Sequence, residues 1–132
     1  MRFIPTKFHA PLDYIVGVAL IAAPWIFQFS DVMAATVVSV VLGVGLIAYS
    51  LFTDYELGVW KVAPMAVHNL FDIAAGAFLA ASPWIFGFAD ESANVWVPHV
   101  IVGLAATFLG LTTVQRAGYS YRKRTTPTTA AG

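Results

Sequence analysis

Apolar residues fall into four long runs broken by short polar connections. The runs cover Pro11 to Phe29, about Met33 to Phe52, about Pro64 to Phe88 and about Val95 to Val114. Each approaches the roughly 20 residues that carry a helix across a bilayer. Residues 30–32 and 89–94 make short connections, and residues 53–63 a longer one. The runs are continuous and lack the strict alternation that a transmembrane barrel requires. The pattern predicts an all-α, integral membrane four-helix bundle forming a single domain over residues 1–132.

The first run could pass for a secretory signal, because Arg2 and Lys7 precede it. Asp13 interrupts its apolar stretch, and Pro24 follows Ala22-Ala23 where cleavage would have to occur. It is therefore read as a span.

Composition fits this picture. Of 132 residues, 59% are hydrophobic and 11% charged, against about 25% charged in a soluble domain. Four spans take about 80 residues and leave about 52 for ends and loops. That excludes an ordinary soluble enzyme, a disordered chain and a multidomain protein. The chain has no cysteine, which removes disulfides, thiolate chemistry and cysteine-held metal clusters.

Net charge is zero, from seven basic and seven acidic residues, but the charges are sorted. Arg2, Lys7, Lys61, Arg116, Arg122, Lys123 and Arg124 all fall on one side of the predicted topology. The positive-inside rule then puts both termini in the cytoplasm. Asp31, Asp90 and Glu91 lie in the outer connections. Aromatic residues form two belts at headgroup depth. Trp25, Phe27, Phe29, Trp84, Phe86, Phe88 and Trp96 make the outer one; Tyr49, Tyr55, Trp60, Tyr119 and Tyr121 make the inner one. The connection at 53–63 is expected to rest on the membrane surface; residues 115–132 form a cytoplasmic tail, in which Arg122-Lys123-Arg124 meets anionic lipid rather than nucleic acid and Thr125 to Gly132 is expected to be disordered.

The chain also repeats itself. At an offset of 59, His9 meets His68, Asp13 meets Asp72, Gly17 meets Gly76, and Pro24-Trp25-Ile26-Phe27 meets Pro83-Trp84-Ile85-Phe86. Between pairs 8/67 and 31/90, 11 of 24 positions are identical. Farther on, an offset of 60 aligns Gly43 with Gly103, Leu51 with Leu111 and Thr53 with Thr113. Repeat 1 covers about residues 8–53 and repeat 2 about residues 64–114, each a two-span hairpin. An even number of spans gives both repeats one orientation, so a pseudo-twofold axis along the membrane normal should relate them.

Ala23-Pro24-Trp25 and Ser82-Pro83-Trp84, one in each repeat, resemble the SPW-repeat family of small bacterial membrane proteins. The likeness covers about residues 8–114; Ala23 departs from the motif's serine. It implies a multi-span bacterial membrane protein and no assigned activity or catalytic residue.

Pro24 and Pro83 remove a backbone donor opposite the carbonyls of Leu20 and Leu79. In lipid these carbonyls need another partner, so a kink is expected, with a neighbouring helix or a hydroxyl filling the gap. Trp25 and Trp84 read as interface anchors.

His9/Asp13 and His68/Asp72 share i, i+4 spacing, which sets each pair on one helix face. Three readings stand. The carboxylates cap helix starts, with Asn69 and Asp72 spaced like a capping box, and the pairs hydrogen-bond between helices. Alternatively the four residues handle protons or ions, or ligate a first-row metal. His99, after Pro98, is read as facing headgroups. Gly76/Ala80, Ala77/Ala81, Ala106/Gly110 and Gly43 with Gly45 offer small surfaces for close helix packing. No mid-depth charge supports a transporter, and no phosphate loop, HExxH motif or catalytic triad is present. The chain is expected to be no enzyme and to need no cofactor. Its expected role is structural or accessory, through packing with a second copy or a larger membrane complex. The alternative is transport, ion handling or metal binding by the paired His and Asp.

Overall fold

The computed structural model describes residues 2–115. Among them are four helices: α1 (Thr6–Ile26), α2 (Met33–Phe52), α3 (Met65–Ile85) and α4 (Ala93–Thr112). All are long and apolar enough to cross a membrane. They pack together with α1 against α2 and α3 against α4 as the principal contacts. Ile15, Val18, Val41, Leu70, Ile101 and Leu104 point outward and are more than half exposed, the apolar exterior that lipid solvates. The expectations for Arg116, Tyr119, Tyr121, Arg122, Lys123, Arg124 and the rest of the tail concern positions outside the described residues.

α1 begins five residues before its apolar run, α3 begins within one residue of its run, and both end three residues early. Pro5 and Pro64, themselves related by the offset of 59, hold N-cap positions with extended backbone. Proline suits a helix start, where its missing N–H is no loss. At the other end Gln28 and Gly87 adopt positive φ, 58° and 74°. That left-handed step stops each helix. Only two helical residues follow Pro24 or Pro83, so no outer segment is left for a kink to tilt. The chain beyond turns inward, and Phe29 and Phe88 are buried with Ala23, Ala35 and Val95. These two rings are core, not belt; Trp25 and Trp84 do stay exposed.

The carbonyls opposite the prolines are satisfied by hydroxyls, as the sequence requires. Ser82 Oγ donates to Leu79 O at 2.6 Å from within α3. α1 has Ala23 at the corresponding place before its proline, and Ser39 Oγ of α2 donates to Leu20 O at 2.5 Å instead. One offset of 60 from Ser39 stands His99. Its ring is buried rather than facing headgroups, with Nδ1 2.7 Å from Val95 O and Nε2 3.0 Å from Ala35 O. Phe29 and Phe88 flank it at centroid distances of 5.2 and 4.9 Å.

Glycines set the close approaches. A Cβ on Gly43 would lie 2.7 Å from Gly17 O, and one on Gly76 2.7 Å from Gly103 O. Of the predicted small surfaces, Gly45 faces open space.

The chain ends of the hairpins interlock. Ile4 bridges Thr113, and Thr53 bridges Ala63. Arg2 Nη1 reinforces the first contact, donating to Gly110 O at 2.7 Å and Thr113 O at 2.9 Å. We call this end, which also carries Lys7 and Lys61, the basic end.

Candidate functional site

His9, Asp13, His68 and Asp72 come together at the basic end, buried to 5% side-chain exposure or less. His9 and Asp13 sit on consecutive turns of α1, and His68 and Asp72 on consecutive turns of α3. His9 Nε2 lies 3.0 Å from Asp13 Oδ1 and 2.8 Å from Asp72 Oδ2. His68 Nε2 lies 2.9 Å from Asp13 Oδ2 and 3.4 Å from Asp72 Oδ2. The two rings meet edge to face, 5.4 Å between centroids. One ligand atom from each residue can be chosen so that all four lie within 4.8 Å of one another.

The capping reading fails. Neither helix has an acidic residue in its first turn or a side-chain hydrogen bond at its N-cap. Asp13 and Asp72 are each the eighth residue of their helix, two turns inside and too far to reach free amides. Asn69 makes no capping box; its Nδ2 donates to Thr113 O at 3.2 Å. Hydrogen bonding between helices, the other half of that reading, is present.

Each imidazole is held from behind by a threonine on the other hairpin. His9 Nδ1 is 2.6 Å from Thr113 Oγ1, and His68 Nδ1 is 2.6 Å from Thr53 Oγ1. Each carboxylate takes a phenol: Tyr49 donates to Asp72 Oδ1 at 2.7 Å, and Tyr55 to Asp13 Oδ2 at 2.9 Å. Burial, with the Asp13 carboxylate beside it, pushes the Tyr55 phenol above its ordinary value, so it remains a donor.

The sequence did not assign these four supporting residues to the site. Tyr49 and Tyr55 read as belt aromatics, yet both turn inward, Tyr55 completely. Thr53 and Thr113 carried a signal, because they align at the offset of 60. The connection holding Tyr55 folds over the cluster rather than lying flat throughout. Lys61 Nζ donates to Tyr55 O at 2.7 Å, Thr6 Oγ1 to Glu56 Oε1 at 2.8 Å, and Tyr14 Oη to Leu57 O at 2.8 Å. Its outer surface keeps an aromatic stack, Trp60 on Phe52 at 4.8 Å.

Toward the bundle centre, a cavity of about 180 Å³ adjoins Asp13, Tyr49 and Asp72, and is otherwise lined by residues such as Leu12, Leu46 and Leu109. No charged residue follows Asp13 in α1 or Asp72 in α3, and α2 and α4 carry none. The cluster is therefore one polar island under an apolar bundle.

Ala23, Pro24, Trp25, Ser82, Pro83 and Trp84 lie at the opposite end and do not join it. No curated protein and no solved structure matches the chain. The SPW repeat domain matches residues 7–113, a stretch holding α2, α3, α4 and all but the first residue of α1, with both proline–tryptophan motifs and the whole His/Asp cluster, and the chain belongs to that family.

Proposed function

We propose that this is a structural or accessory protein of the bacterial inner membrane, with both termini cytoplasmic, whose His/Asp cluster clasps two duplicated hairpins together. The observation carrying the clasp is the convergence of His9 and Asp13 from one hairpin with His68 and Asp72 from the other. Contacts that recur at the repeat offset support the duplication: His9–Thr113 beside His68–Thr53, and Ile4–Thr113 beside Thr53–Ala63. Removing one side of a buried charged pair costs about 3–5 kcal/mol because the partner is left charged and unpaired, so disrupting the clasp has a measurable effect. No enzymatic activity is proposed. The finished bundle then works through its apolar outer faces, packing against a second copy or a larger complex.

Ion handling by the same four residues is the second reading, favoured by their burial in a membrane span. The apolar path beyond the cluster counts against flux across the bilayer.

The test is the double variant Asp13→Asn/Asp72→Asn beside wild type in lipid nanodiscs. Cysteines placed at Gln28 and Asn94, where Asn94 Nδ2 meets Phe27 O at 2.8 Å, report hairpin separation by crosslinking. The clasp predicts faster separation in the variant; equal crosslinking and equal unfolding refute it. Proteoliposome cation flux that the variant abolishes while it stays folded would establish the second reading. A reporter fused at Gly132 that reads out on the outer side overturns the orientation.

A further inference from the structure

We propose that the clasp is a metal site: His9, His68, Asp13 and Asp72 hold one divalent first-row transition cation, with zinc the best fit. The inference rests on the clasp reading for its location and goes beyond it in naming what lies at the centre.

The argument begins with a proton. Thr53 Oγ1 donates to Tyr49 O at 2.7 Å. A hydroxyl has one proton, so Thr53 must accept from His68, and His68 Nδ1 carries the N–H. A neutral ring then has its other lone pair on Nε2, which faces Asp13 Oδ2 at 2.9 Å and Asp72 Oδ2 at 3.4 Å. A lone pair among carboxylate oxygens is repulsive. Something positive must lie between them, either a proton, on the ring or on a carboxyl, or a shared cation.

Geometry separates these. A ring N–H forms a good bond only when it aims at its acceptor. His9 Nε2, His68 Nε2 and Asp72 Oδ2 are buried, and none has an aligned hydrogen-bond partner, despite ion-pair distances of 2.8–3.4 Å. The carboxylate oxygens flank the ring axes instead of lying on them. That is how ligands stand around a common ion. Tetrahedral Zn²⁺ bound at about 2.0–2.2 Å has neighbouring ligand atoms about 3.3 Å apart. The N···O distances of 2.8–3.4 Å bracket that value, and the widest pair in a set of one atom per residue, within 4.8 Å, has to draw in toward it.

Ligand chemistry narrows the ion. Two imidazoles disfavour Mg²⁺ and Ca²⁺, which take oxygen sets, and suit zinc and its neighbours. Two carboxylates neutralise a divalent charge, which matters where a net charge is expensive. Threonines on the far ring nitrogens and phenols on the carboxylates supply the outer hydrogen bonds that orient metal ligands.

The test uses the full chain in nanodiscs, stripped of metal and titrated with Co²⁺ or Zn²⁺. One equivalent of Co²⁺ should bind, with the intense visible absorption of a four-coordinate ion, and Zn²⁺ should displace it. His68→Gln and Asp13→Asn/Asp72→Asn should each weaken binding at least 100-fold. Asp31→Asn/Asp90→Asn, at the other end, should leave it unchanged. Titration of the wild-type protein needs no variant to fold. No Co²⁺ bound, binding indifferent to the variants, or displacement by Mg²⁺ or Ca²⁺ overturns the proposal. If metal is absent while Asp13→Asn/Asp72→Asn still speeds hairpin separation, the clasp survives without its ion. If metal binds and hairpin separation is the same with and without it, the site stands and the clasp falls.

Discussion

Replacing Gly103 by alanine places a methyl group where α3 and α4 touch. Its Cβ would lie 2.5 Å from Gly76 O and 2.8 Å from Ala80 Cα. Ordinary contact begins near 3.4 Å, so the helices must separate by something under an ångström along their closest line. Overpacking of this kind costs about 1–3 kcal/mol. Alanine also favours the helix by about 0.8–1.0 kcal/mol over glycine, which conceals part of the penalty. Gly45→Ala supplies the reference: its Cβ meets nothing within 4 Å, so it collects the helix gain alone. The difference between the two variants isolates the clash, at about 1–3 kcal/mol. Reversible unfolding in mixed micelles, with SDS as denaturant and tryptophan fluorescence as probe, measures it. Gly103→Ala should unfold at lower SDS fraction than Gly45→Ala. Coincident curves would show that these backbones do not approach so closely.

Other outcomes follow from single contacts. Ser39→Ala strands the Leu20 carbonyl, at a cost of about 1–3 kcal/mol; adding Ala23→Ser, which restores the arrangement seen at Ser82, should recover most of it in the same assay. Gln28→Gly should stabilise and Gly87→Ala destabilise, each by about 1 kcal/mol, because both positions hold positive φ; an unchanged unfolding midpoint for both would contradict the left-handed turns. Tyr55→Phe removes the donor to Asp13 Oδ2 and should weaken Co²⁺ binding about 10- to 100-fold, with equal affinity counting against a supporting role.

The helices were legible because bilayer length and apolar runs leave little freedom; α2 matches its run from Met33 to Phe52. The other ends were harder to place. Apolar residues continue past Ile26 and Ile85, and only the backbone step at Gln28 and Gly87 shows where the helix stops. Pro5 and Pro64 held the matching clue at the starts, one repeat apart. His9, Asp13, His68 and Asp72 were legible as two pairs with one register. The depth of Asp13 was hidden because the apolar run opens at Pro11 while α1 starts at Thr6; for Asp72 the run's start at Pro64 already implies two turns. Tyr55 could not be read from a pattern. Which way a loop side chain turns depends on the contacts of Lys61 and Glu56 around it.

The pairing of His9 with Thr113 spans 104 residues. A ribosome adding about 5–20 residues per second needs roughly 5–20 s to make the second partner after the first. For the first part of that interval α1 carries His9 and Asp13 into the membrane before His68 and Asp72 are made, and for the rest the threonine is still missing. The nascent first hairpin therefore waits with an exposed polar face in lipid. That is the stage at which an insertion factor would bind it, or a membrane protease remove it, and completion of α4 ends the exposure.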